Sequence, residues 1–364
     1  MKQFKLAVIA LLTALTFNAC SDDEMHLPPT EPVGTGTAGA FVLNQGNIYD
    51  GIAGTLDFLN FSTDAYTSGL FMQANGVQLG DTPQAGMVYG SRLYVAMYGS
   101  NLVWCLDAAT GSIVKQIAIT SPEGICAADG YVYVSCNDGY LARIDTLTLE
   151  ADEERLEVGP NPAGICTANG SVYVTISDGY NYNNEYANGF RVVRVSTSDF
   201  SKQAEIKVGM NPNIVQADAD GNVFAVCQGN YGMGISEVKP EVWKILPDNS
   251  ASTFVPATSI AIKDNTLYTI YNYTNYTTNE STLKYKAYST QDGTVLSENM
   301  LSLTDLPAVP ISLSVCPADG HIYITSDRAQ YDYNSPGYIY RYTPDGQLVK
   351  RYDAGVHPFA VVFK

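Results

Sequence analysis

A chain that repeats itself every forty to fifty residues is confined to a stack or a ring of like units. This sequence does so. The clearest copies are SPEGICAADGYVYVSCNDGY at 121–140 and NPAGICTANGSVYVTISDGY at 161–180, and weaker ones begin at residues 82, 211, 257 and 309. Each copy reads as a short apolar strand, a tight turn such as Asp129-Gly130, Asn169-Gly170 or Asp319-Gly320, and an alternating strand centred on an aromatic residue. Two more strands follow in each unit, for example 190–196 with 204–208, and 337–343 with 348–352. Four antiparallel strands per unit is the blade of a β-propeller.

Six complete blades leave a remainder at each end. HPFAVVFK at 357–364 matches the first strand of a blade, and residues 38–80 supply only the three later ones. Joined, they make a seventh blade, which removes two sheet edges that would otherwise invite aggregation. The expected fold class is therefore all-β, a seven-bladed β-propeller whose first blade is closed by the C-terminal strand. Its texture is uniform over 38–364, as for a single domain.

In a propeller the loops from second to third strand open on one face with the turns between blades, and function usually sits there. Here those loops are GNIYDGIAG, SDGYNYNNEYANG, QGNYGMGISEVKPE, YNYTNYTTNEST and DRAQYDYNSPG. Four residues beyond the second-strand aromatics stand Gln45, Tyr98, Asn137, Ser177, Gln228, Asn272 and Asp327, all polar. Seven or eight residues beyond them stand Tyr49, Tyr140, Tyr180, Tyr231, Tyr276 and Tyr331, with Asn101 the exception in the second blade. The expectation is a ring of amides and hydroxyls inside a ring of phenols. The plainer alternative is that the polar residues satisfy loop backbone and the phenols cover it. The strand-centred Tyr94, Tyr133, Tyr173, Tyr268 and Tyr323 are expected to pack between blades, and the turns before Pro83, Pro162, Pro212 and Pro358 to be structural, their third residues still within reach of a ligand.

Residues 1–19 read as a lipoprotein signal peptide, with Lys2 and Lys5 ahead of an apolar run from Leu6 to Phe17 that is too short to span a membrane. Cys20 would then be the lipidated first residue of the mature chain, and residues 20–37 a flexible tether. Ordinary secretory cleavage before an unrelated cysteine is the alternative. With 37 acidic against 20 basic residues and a formal net charge of −17, the surface repels phosphates, so nucleic-acid binding is not expected. The other cysteines, Cys105, Cys126, Cys136, Cys166, Cys227 and Cys316, sit inside strand runs or recur at one repeat position, as buried thiols would.

His26, His321 and His357 are the only histidines and have no metal-ligand spacing; GxSxG, HExxH and phosphate-binding glycine loops are absent from the sequence. Asp50, Glu185, Asp327 and Asp332 leave a paired-acid hydrolase or lyase open. Phenols and carboxamides with few formal charges suit binding rather than catalysis. The fitting ligand is bulky, polar and largely neutral with flat or ring-shaped surfaces, either a sugar or an amide-fringed macrocycle.

The SDDE run after Cys20, the GxNPxGI and VYV blade motif and the Tyr/Asn-rich loops resemble the YncE-like seven-bladed propeller lipoproteins of Bacteroidetes, and within them the BtuG-type vitamin B12-binding proteins. That resemblance implies lipid anchoring on the outer face of the outer membrane. It also implies capture of cobalamin or a related corrinoid and delivery to a TonB-dependent outer-membrane transporter of the BtuB type. The alternative is a surface glycan-binding protein of a polysaccharide-uptake system. No motif carries the family's ligand contacts onto single residues, so the candidate positions rest on the two rings.

Overall fold

The structure, a computed structural model, describes residues 38–233, 236–302 and 304–364. The expected signal peptide, Cys20 and the tether lie outside the described residues. Seven four-stranded antiparallel sheets form, and the inner strand of each touches the inner strand of the next all the way around the ring. The fourth blade is typical, with strands Pro162–Ala168, Ser171–Ile176, Arg191–Ser196 and Lys202–Lys207 in sequence order from axis to rim. In the first blade the inner strand is Pro358–Phe363, paired with Gly39–Asn44 and followed by Thr55–Asn60 and Ala65–Thr67. The ring closes through both ends of the chain, as the repeat count requires.

The core is not central. It is divided into seven apolar layers, each between two neighbouring blades. Strand alternation explains this: Val132, Val134 and Cys136 face the second blade, while Tyr133 between them faces the fourth. A sheet covered on both faces reads as a continuous apolar run, which is why the motif is VYV rather than an alternation with polar residues. Tyr94, Tyr133, Tyr173 and Tyr323 are fully buried in these layers, and Tyr268 partly so. The six cysteines occupy the same layers as free thiols. Burial pushes the Cys136 thiol up to about 11 and the Cys166 thiol up to about 12.

Ring closure has a polar latch as well. The turn residue Asp64 of the first blade accepts from Lys350 Nζ at 2.6 Å and from the Tyr352 hydroxyl, with Arg341 at 3.6 Å. The hydrogen bonds from Lys350 and Tyr352 hold its carboxyl below the usual range.

Local structure departs from the sequence reading in three places. Asp129-Gly130 and Asn169-Gly170 are two-residue turns with both φ positive, but in the seventh blade Cys316–His321 forms a longer connection in which only Gly320 has positive φ. The segment YNYTNYTTNEST, expected as a loop, is mostly strand. Thr266–Asn275 and Glu280–Ser289 continue as a hairpin arm of two ten-residue strands, held from outside the blade by Glu237, which accepts from the Tyr273 hydroxyl at 2.9 Å and from Asn275 Nδ2 at 2.7 Å. A short helix, Leu70–Asn75, joins the first two blades, with Leu70 and Phe71 buried against Trp104.

Candidate ligand-binding site

The second strand of every blade ends on one face, and the loops there are unequal. Blades one, four, five and seven carry long connections and blade six its projecting hairpin arm, whereas the second blade turns over 98–101 and the third over 137–139. The rim is therefore low on one side.

At the axis, the expectation that the inter-blade turns are structural acquires a mechanism. Thr82, Ser121, Asn161, Asn211 and His357, each just before a proline, adopt φ between 47° and 56°. That left-handed bend turns each carbonyl back onto the second strand of its own blade. The N–H of Tyr98, Asn137, Ser177, Gln228 and Gln45 donates to the carbonyl of Thr82, Ser121, Asn161, Asn211 and His357, at 2.8–3.2 Å. Asn272 makes the corresponding bond to the Thr258 hydroxyl at 2.9 Å, where no proline follows. The polar ring position is thus fixed by its backbone, which leaves its side chain at the mouth of the channel.

Two adjoining cavities open there. One, of about 410 Å³, is walled by Gln45, Tyr98, Asn137, Ser177 and Tyr180 of the expected rings together with Gln84, Glu123, Asn161 and Phe359. The other, of about 580 Å³, shares Gln45, Thr82 and Tyr98 with it and adds Tyr49, Ile48, Tyr333 and His357. The Tyr98 and Tyr180 hydroxyls meet at 2.7 Å, joining the second and fourth blades above the short turn of the third. That bond, with burial, pushes the Tyr98 phenol up to about 12. A separate cavity of about 790 Å³ lies between the loops of blades four and five, bounded by Tyr182, Asn184, Tyr186, Asn230 and Met233.

The other expected residues lie outside these two cavities. Tyr140 lies under the Arg155 guanidinium, 4.4 Å from ring to cation. The Gln228 amide donates to Asn213 and to the Thr258 carbonyl, and Asp327, almost fully buried, holds His357 Nδ1 at 3.0 Å. Tyr231 and Tyr276 pack edge to face at 6.4 Å, and burial pushes the Tyr231 phenol up to about 12. Asn272 and Tyr331 are exposed, Tyr331 on the seventh-blade loop. Of the acids, Asp50 is bound by Asn47 and by Asn334 of the seventh-blade loop, and Asp332 caps the Ser335 N–H.

Sequence reading missed the first-strand contribution. Gln84, Glu123 and Phe359 each follow the proline that opens an inner strand, and each lines the mouth. The Pro-X step repeats in five blades and would have marked them. It also missed the exposed Tyr182 and Tyr333. Among the described residues Glu123 is the one carboxylate lining the 410 Å³ cavity, and its enclosure there pushes it up to about 7, with hydrogen bonds from Gln84 and Asn137 opposing that rise.

A family model described as a domain of unknown function, DUF5074, matches residues 38–363. The chain belongs to the DUF5074 family. The match spans the whole ring and stops one residue short of its last strand's flank, so the DUF5074 unit and the propeller coincide. No protein of curated function matches the chain. Among solved structures, this DUF5074 propeller is similar to a quinoprotein alcohol dehydrogenase-like protein of Bacteroides thetaiotaomicron, at 16% identity and a TM-score of 0.64 over 89% of this chain and 78% of that one. It is also similar to hydrazine synthase of Kuenenia stuttgartiensis, at 15% identity and a TM-score of 0.61 over 77% and 89%. A computationally designed protein, Ika8, superposes with a TM-score of 0.54 at 11% identity over 92% and 93%. At such identities the likeness is one of fold.

Proposed function

We propose that this DUF5074 propeller is a cell-surface binding protein, held to the outer membrane by lipid on Cys20, that captures a corrinoid such as cobalamin at its channel mouth. It then passes the ligand to a TonB-dependent transporter of the BtuB type. The observation that carries the binding part is the pair of adjoining cavities walled by carboxamides and phenols from blades one to four and by the Tyr333 loop of blade seven. Amides supply directional bonds to a ligand fringed with amides, and phenol rings supply apolar contact with a flat macrocycle. The corrinoid itself and the transporter come from the resemblance of the blade and loop motifs to the vitamin B12-binding propellers. The low rim at blades two and three leaves one side open for a ligand larger than the cavities.

A glycan is the second reading. It is favoured by the outward exposure of Tyr180, Tyr182, Tyr331 and Tyr333, which offers ring faces for sugars on the rim. Calorimetry with cyanocobalamin and a glycan panel separates the two, and analysis of the same mixtures for products tests a hydrolase or lyase. If cyanocobalamin shows no heat of binding at millimolar concentration, the corrinoid reading is wrong.

A further inference from the structure

Two chains of carboxamides converge on Glu123. Gln45 Nε2 donates to Gln84 Oε1 at 2.6 Å, and Gln84 Nε2 donates to Glu123 Oε1 at 2.8 Å. From the other side Asn161 Nδ2 donates to Asn137 Oδ1 at 3.0 Å, which turns the Asn137 amide N–H toward the same carboxylate. Each relay has a direction: the first amide occupies the carbonyl of the second, so that only N–H is left to point at Glu123. Four blades thereby preorganise the surroundings of an anion.

A preorganised anion inside a fold is ordinarily matched by a buried cation. Here no lysine or arginine lines the cavity among the described residues. The other titratable groups facing it are the Tyr98 and Tyr180 phenols, and in the adjoining cavity Tyr49, Tyr333 and His357, the last held by Asp327. The relays also set the kind of cation that fits. A bare metal ion needs oxygen donors around it, and the side chains beside the carboxylate present N–H. An organic cation needs one anion and apolar faces for its substituents, and Tyr98, Tyr180 and Phe359 share the cavity.

We propose that Glu123 is the anionic anchor for an organic ammonium group of a ligand, whose substituents rest on Tyr98, Tyr180 and Phe359. The inference stands apart from the corrinoid reading, because it concerns one functional group and is tested with a small probe. Choline serves, since its charge is the same at every pH, with 3,3-dimethylbutan-1-ol as its uncharged isostere. Titration of the whole protein, followed by calorimetry or by ligand-observed NMR, should show choline binding and the isostere binding at least tenfold more weakly. With Glu123 ionising near 7, about a tenth of it is charged at pH 6 and about nine tenths at pH 8, so choline affinity should rise about tenfold between them.

Glu123→Gln keeps an acceptor for Gln84 and should keep the parent melting transition, but it should lose choline affinity at pH 8 at least tenfold and lose the pH dependence. That second loss ties the pH dependence to Glu123, since the variant leaves His357 and its contact with Asp327 unchanged. The proposal is overturned if choline does not bind at tens of millimolar, if choline and the isostere bind alike, if Glu123→Gln retains affinity, or if calcium chloride competes as well as choline does. The pH series on the parent protein decides even if the variant fails to fold.

Discussion

Removing residues 357–364 tests the closure of the ring more severely than any point substitution. The lost strand carries Val362 into the layer between blades one and two and Val361 into the layer between blades seven and one. Phe363 leaves its edge-to-face contact with Tyr323 at 5.4 Å. At about 1.5–3 kcal/mol for each buried apolar side chain, the two valines alone represent about 3–6 kcal/mol and the half-buried Phe363 adds to that, against a typical total stability of about 5–15 kcal/mol. The deletion also strips Gly39–Asn44 of its inner partner and exposes a sheet edge on the axis. Differential scanning calorimetry of the truncated protein should show no cooperative transition within about 20 °C of the parent. Val362→Ala should cost about 2 kcal/mol by the same reckoning and lower the midpoint by only a few degrees. A truncated protein that melts where the parent does would refute the two-ended blade.

Tyr98→Ala with Tyr180→Ala should weaken cyanocobalamin about thirtyfold or more in calorimetry, the effect of removing central aromatic anchors worth about 2 kcal/mol, whereas Tyr285→Ala, buried in blade six, should cost stability and leave affinity unchanged. Asp64→Asn should lower stability at pH 7 by about 1 kcal/mol or less, because the latch is partly exposed. A carboxyl held below its ordinary value stabilises the folded state above about pH 4 and loses that contribution as pH falls through its lowered value, so the difference between parent and variant should shrink progressively below about pH 4 in thermal melts. Cys20→Ala should move the protein from the membrane fraction to the soluble one on cell fractionation, and retention would show another anchor.

The blades were legible because a repeat states its own period, and because both faces of each sheet are buried, so that the aromatic at the centre of the second strand repeats without interruption. Closure was legible from arithmetic, six whole units and two fragments. The site was legible only in part. Counting from Tyr94, Tyr133 and Tyr173 located Tyr98, Asn137 and Ser177, since strand register is rigid over four residues. The same count located Gln228 and Asp327, but their side chains are committed to Asn213 and His357, and no spacing rule distinguishes a free amide from an engaged one. Tyr140 and Tyr231 stand at the counted offsets, one beneath an arginine and the other against a second tyrosine, and neither lines the two cavities at the mouth. Glu123 escaped because a single acid among 37 carries no pattern. Its meaning comes from two amide relays reaching in from three other blades, which exist only once the ring has closed.

The direction of the second strand in the first blade settles a matter of orientation. Gly39–Asn44 runs toward the channel mouth and ends beside Gln45, so Ala38, whose carbonyl accepts from Phe61 and whose neighbour Gly39 accepts from Lys364, sits at the far side of the disc. The described chain therefore begins on the side opposite the cavities. A propeller leashed at its N-terminus, as proposed through Cys20, would therefore stand with its back to the bilayer and its phenols toward the medium. To hand cargo to a pore embedded in that same bilayer it would have to tip over onto its face, so the length of the leash, rather than the affinity of the site, would set how readily delivery occurs.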